Sequence, residues 1–147
     1  MTRASRIERL DYLKDQLSKR IVILDGAMGT NIQKFRLGEE DYRGERFADT
    51  ARYPNDLKNN NDLLVLTRPE IILDIHRRFL GTGHADILET CTFSATSIGQ
   101  HDYFWDRPEE GRRKDQEYFQ EVVDAPELKS LVREVNLAAC ALARQAC

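Results

Sequence analysis

The chain has 147 residues, 41% of them hydrophobic and 32% charged. This is enough for one domain with a real core, and it describes a folded chain rather than a disordered one. The net charge of −3, from 22 basic and 25 acidic residues, gives no bulk electrostatic reason to expect nucleic acid or an anionic membrane surface as a partner.

Ser5-Arg6-Ile7-Glu8 has the spacing of a helix capping box. Ile7, Leu10, Leu13 and Leu17 follow at steps of three and four and form one apolar stripe. This N-terminus lacks the apolar centre of a secretory signal, and no run approaches the roughly 20 residues of a membrane span. A cytoplasmic location is therefore expected. Ile21-Val22-Ile23-Leu24 is short, apolar throughout and mostly β-branched, which predicts a strand covered on both faces as in a parallel sheet. Asn31 to Asp62 reads as a long polar connection carrying Pro54 and the run Asn59-Asn60-Asn61; long loops in compact domains are usually functional or mobile.

Thr67-Arg68-Pro69-Glu70 predicts a second capping box with Pro in the first turn. Ile71, Ile72, Ile75, Phe79 and Leu80 form that helix's buried face, and Gly81 and Gly83 end it. Ala85 to Leu88 predicts a second strand, running into Glu89. Asp102 to Tyr118 is dense in mixed charge and reads as a solvated insertion, about 104–125 in all, with Phe104 and Trp105 available to cover an apolar edge. From Pro126, the positions Leu128, Leu131, Val132, Val135, Ala138, Ala139 and Leu142 predict one long helix. The order is helix, strand, helix, strand, helix. Two strands joined by a helical crossover predict a parallel βαβ unit, with chemistry just past the strands' carboxyl ends. Asp25 and Glu89 hold those two positions.

The first motif is Leu24-Asp25-Gly26-Ala27-Met28-Gly29-Thr30. Its glycines permit a sharp turn and close approach of a ligand to the backbone. Exposed N–H groups there suit a carboxylate, and Asp25 suits an ammonium, so the pair suits an amino acid. An ordinary tight turn capped by Asp accounts for the same residues, and the dinucleotide spacing is absent. The second motif is Glu89-Thr90-Cys91-Thr92-Phe93-Ser94-Ala95-Thr96, a strand-end carboxylate followed by alternating hydroxyls. Thr chosen for β propensity is its simpler explanation. Cys91 has no neighbouring His to activate it: His76 lies on the preceding helix, His84 in its terminal turn and His101 in a loop. Three widely spaced cysteines (Cys91, Cys140, Cys147) fit neither a disulfide framework nor a zinc knuckle, and the last two read as buried small apolar side chains on one helix face.

Together these segments resemble a known family. IVILDGAMGTNIQKFRLGEEDYRGERFAD from Ile21, DLKNNNDLLVLTRPEIILDIHRRFL from Asp56, ADILETCTFSATSIGQHDY from Ala85 and VREVNLAACALARQA from Val132 resemble the N-terminal homocysteine-binding domain of cobalamin-dependent methionine synthases. The resemblance covers about 6–103 and 128–146. It implies an α/β fold: the first two strand–helix units of a (β/α)8 TIM barrel, incomplete, with an extra N-terminal helix. It implies methyl transfer from methylcobalamin to homocysteine, with zinc holding the homocysteine sulfur as a thiolate. Carried over by motif, Asp25 and the Gly26-Ala27-Met28 backbone would bind the amino-acid end of homocysteine, and Glu89, Thr90 and Thr92 would line the same pocket.

Departures accompany the resemblance. Cys91 stands where the family usually has Asn. His84 is an extra residue, Thr50 to Tyr53 is slightly expanded, and Asp106 to Asp124 is an insertion. None of the three cysteines matches a zinc-ligand position, and the cobalamin- and folate-binding modules have no counterpart. A full barrel needs about 250 residues and eight strands, so the chain is expected to be a truncated homocysteine-binding domain, inactive alone. Alternatives are assembly with a second polypeptide that completes the barrel, or an inactive binding or structural protein. Betaine or methylmethionine is the alternative methyl donor.

Overall fold

The computed structural model describes residues 5–105 and 115–147. The first helix, α1, spans Arg6–Lys19. Its capping box forms as expected: Glu8 N–H donates to Ser5 Oγ at 3.2 Å, and Ser5 N–H donates to the Glu8 carboxylate at 2.5 Å. The apolar stripe finds nothing to cover it, and no residue of α1 is buried. A rigid bracket links its end to the rest. Arg20 makes two bonds to the Asp86 carboxylate, which also accepts the Ile23 N–H at 3.0 Å.

The predicted strands do not form. Leu24 and Ile87 make one isolated parallel bridge, and its bonds are few: Asp25 N to Ile87 O at 2.9 Å, and Asp86 N and Ile87 N to Ile23 O at 2.8 and 3.2 Å. Among the described residues the fold is all-α, not the α/β strand–helix units of a TIM barrel. The expectation rested on an all-apolar run implying cover on both faces. That cover is missing, and Ile21 stands 85% exposed. A two-residue pairing without further strands cannot propagate a ladder.

Helices build the core instead. Short helices α2 (Met28–Gln33), α3 (Glu39–Arg43) and α4 (Leu64–Thr67) precede α5 (Pro69–Gly81). A 3-10 turn, Asn61–Leu63, leads into α4. Beyond them lie α6 (Ser97–Phe104), α7 (Gln116–Asp124) and the 21-residue α8 (Pro126–Ala146). The α8 helix packs on α4, α5, α6 and α7. Its Leu131, Val135, Ala139 and Leu142 meet Ile71, Ile72 and Ile75 of α5 and Leu64 and Val65 of α4 in one buried cluster. Each large side chain in that cluster contributes about 1.5–3 kcal/mol by leaving water. Pro69 opens α5 as predicted, but the second capping box does not form: the N-cap is Arg68, and Thr67 Oγ1 turns back to Leu63 O.

The segment predicted as a polar connection is ordered by Ile32, Tyr42, Phe47 and Leu57 entering the core and by one buried cation. Arg43 donates to Phe47 O, Tyr53 O and Asn55 O at 3.0, 2.9 and 2.7 Å and pairs with Glu39 at 2.6 Å. The Glu39 carboxylate in turn accepts the Leu57 and Lys58 N–H groups. Three carbonyls with no helix or sheet partner are thereby satisfied. Of the predicted insertion, residues 106–114 lie outside the described part. Phe104 and Trp105 instead end and cap α6, and most of the rest forms α7, whose Tyr118 and Val122 pack with Ala125 and Leu128 in a second, smaller cluster.

Candidate functional site

The two sequence motifs meet at the bridge. Asp25 follows Leu24, Glu89 comes two residues after Ile87, and Glu89 N–H donates to Asp25 Oδ1 at 2.6 Å. Around this bond opens a cavity of about 810 Å³. Asp25, Gly26, Ala27 and Met28 border it on one side, and Glu89, Thr90 and Thr92 on the other. The structure therefore brings every sequence-selected residue to one hollow, although the strands expected to carry them are absent.

The first turn works differently from its glycine-based prediction. The left-handed residue is Ala27, at φ 51° and ψ 31°. An L-residue in that region costs about 1–2 kcal/mol, and such strain persists where surrounding structure imposes it. Gly26 needs no unusual φ; a Cβ there would meet nothing within 4 Å, which leaves open approach to the backbone from the cavity. Ala27 offers no side-chain cap to α2. The second segment is a series of tight turns rather than a strand end: Thr92 N bonds Thr90 O at 2.9 Å, and Thr96 N bonds Ser94 O at 2.8 Å. The Thr90 and Thr92 hydroxyls pair with each other at 2.8 Å. Gly99 lets α6 close on this turn, because any Cβ there would lie 2.3 Å from Ser94 O.

Sequence reasoning missed Asn61 and Asp62, which also border the cavity. Buried Asp62 accepts the Ser94 N–H and so ties the 3-10 turn to the second motif. Burial pushes its carboxyl above the usual range, partly opposed by the Ser94 and Phe93 amides. Asn60 and Gln100 exchange two buried side-chain bonds behind it, at 2.8 and 3.2 Å. The run Asn59-Asn60-Asn61-Asp62, polar to the edge of an apolar stretch, was the available signal. His76 was set aside as a helix residue. It is fully buried on α5, its Nδ1 lies 4.0 Å from Asp25 Oδ2, and neither ring nitrogen has a hydrogen-bond partner. Burial lowers its pKa, partly opposed by Asp25, so the ring is neutral at pH 7.

Cys91 borders the cavity as a protonated thiol. Burial, with Asp62 beside it, pushes its pKa up to about 12. Its Sγ contacts Asn61 O at 3.6 Å and Asp62 Oδ1 at 3.8 Å. Zinc takes cysteine as thiolate, and Cys140 and Cys147, expected to be buried, are instead exposed along and just past α8, on a face that no described element covers. Among the described residues no group of three or more His, Cys, Asp or Glu could hold a metal ion. The residues present do not fit the zinc that such methyltransferases in general use. No helix among the described residues is long and apolar enough to cross a membrane.

The family model described as homocysteine S-methyltransferase matches residues 22–147. That span takes in both motifs, the Asn61–Asp62 wall of the cavity and the helices that hold them, and the chain belongs to the homocysteine S-methyltransferase family, whose substrate is homocysteine.

Proposed function

We propose that this chain binds L-homocysteine in the cavity between the two motifs, as part of methyl transfer to the homocysteine sulfur that yields methionine. Asp25 receives the ammonium group. The Gly26-Ala27-Met28 backbone receives the carboxylate, and Glu89, Thr90 and Thr92 line the space around the side chain. The observation that carries this reading is the Glu89 N–H to Asp25 Oδ1 bond. It occupies one carboxylate oxygen; the other, Oδ2, lies 4.0 Å from His76 Nδ1 and keeps lone-pair capacity for a cation, beside an uncrowded Gly26 backbone. An ammonium on a desolvated carboxylate is worth several kcal/mol of specificity.

The methyl donor of this reading is methylcobalamin, because the long runs from Ile21 to Asp49 and from Asp56 to Leu80 resemble the cobalamin-dependent branch.

The test is calorimetric titration of L-homocysteine into the chain and into Asp25→Asn. The Asn side chain keeps an oxygen for the Glu89 N–H but turns an N–H donor toward the ammonium. Losing one partner of a desolvated charge pair costs about 2–5 kcal/mol, roughly 30-fold to several thousand-fold in Kd. Unchanged affinity in a folded variant would remove Asp25 from the site.

A further inference from the structure

A buried imidazole backs the Asp25 carboxylate of the proposed ammonium subsite, its Nδ1 4.0 Å from Oδ2. His76 is fully buried and does not border the cavity. It sits on the core face of α5 beside Ile72 and Ile75. Among the described residues neither Nδ1 nor Nε2 has a hydrogen-bond partner. Buried polar side chains in folded proteins are almost always bonded, so an imidazole kept here without one has no structural explanation. The Asp25 carboxylate in front of it is held on one side only. Oδ1 takes the Glu89 N–H, while Oδ2 faces His76 Nδ1 at 4.0 Å, beyond hydrogen-bond reach.

We propose that His76 is a positioning residue for the ammonium subsite: its Nδ1–H closes on Asp25 Oδ2 when an amino acid occupies the cavity, and fixes the carboxylate plane against the ligand. This rests on the reading of Asp25 given above. An ammonium group only donates, so it needs an acceptor held still. A carboxylate oxygen has lone pairs for two donors, one behind and one in front. The neutral imidazole supplies the donor behind without neutralising the charge the ammonium requires, which a lysine or arginine at this place would do. The gap to be closed runs from 4.0 Å to bonding distance, about 1 Å.

The experiment compares two ligands on the full chain by calorimetry: L-homocysteine, and 4-mercaptobutanoate, which lacks the ammonium. His76→Leu is expected to weaken homocysteine at least tenfold and to leave 4-mercaptobutanoate within twofold. His76→Asn, whose amide N–H falls near the Nδ1 position, is expected to recover most of the loss. Equal loss for both ligands, or homocysteine affinity within twofold of wild type in a folded Leu variant, overturns the proposal. On the wild-type chain, the His76 Nδ1 nitrogen resonance is expected to shift on adding homocysteine and to stay put with 4-mercaptobutanoate. A resonance indifferent to homocysteine overturns the proposal whether or not the Leu variant folds. If Asp25→Asn also leaves homocysteine affinity unchanged, the substrate reading itself has failed. If Asp25→Asn weakens binding and the His76 variants do not, only the positioning role has failed.

Discussion

Replacing Arg43 by methionine tests how the irregular segment between α3 and α4 holds the cavity wall. The guanidinium serves Phe47 O, Tyr53 O and Asn55 O and balances Glu39. Hydrogen bonds from a charged donor are worth about 1.5–3 kcal/mol each, but these share one side chain and do not add. Glu39 keeps its bonds to the Leu57 and Lys58 amides, so it is not left bare. Breaking one side of a buried pair costs about 3–5 kcal/mol, and the remaining amides place this case at about 3–4. At about 2–4 °C per kcal/mol for a chain of this size, the unfolding midpoint should fall by about 6–16 °C. Circular dichroism at 222 nm on heating measures it. Homocysteine affinity should fall as well, because Asn61 and Asp62 stand at the end of the loosened segment. A drop below about 3 °C would show that the three carbonyls are satisfied without Arg43, and would refute the role given to it.

Further outcomes follow from the site and its electrostatics. Gly26→Ala should melt like wild type, because its Cβ meets nothing, yet weaken homocysteine by occupying the approach to the backbone; equal affinity would place the ligand elsewhere. At pH 8, iodoacetamide followed by mass spectrometry should modify exposed Cys140 and Cys147 and spare Cys91, whose thiol sits at about 12; rapid native labelling of Cys91 would contradict its burial. His76 takes up a proton more readily unfolded than folded, since its folded pKa is lowered. Its contribution to stability is therefore full above the unfolded value near 6.5 and is lost as pH falls below it; a His76→Leu chain with an unchanged acid slope would exclude that source. Bonds from Arg20 and the Ile23 amide hold the Asp86 carboxyl at about 2. Its carbon resonance should titrate there, so the bracket it makes persists well into acid, and a midpoint near the ordinary 3.8 would mean the bracket is open in solution.

Local chemistry was readable where it depends on neighbours in sequence. The Ser5 to Glu8 box, Pro69 at the start of α5 and the α8 stripe through Leu131, Val135 and Leu142 are all set by short-range spacing, and the structure has them. Both motifs were identifiable by residue type, and they do share one hollow. The rest depends on what lies across space. Ile21 to Leu24 carries a buried-strand composition, but nothing covers it, so only the Leu24–Ile87 bridge survives. The region from Asn31 to Asp62 looked like loose connection because its order comes from scattered core residues, Tyr42, Phe47 and Leu57 among them, and from Arg43 bonding to carbonyls, a pattern with no period. Asn61 and Asp62 reach the cavity from a turn marked only by a polar run at the edge of an apolar stretch, and His76 backs Asp25 from a helix whose own sequence signal concerns packing alone.

The most direct measurement of the central claim is an amide correlation spectrum of the labelled chain titrated with L-homocysteine. The predicted shifts gather at residues 26–28 and 89–93, extend to Asn61 and Asp62, and saturate together. Shifts confined to the second cleft, about 570 Å³ around Arg46, Tyr53 and Phe104, or no shifts at millimolar homocysteine, would contradict it.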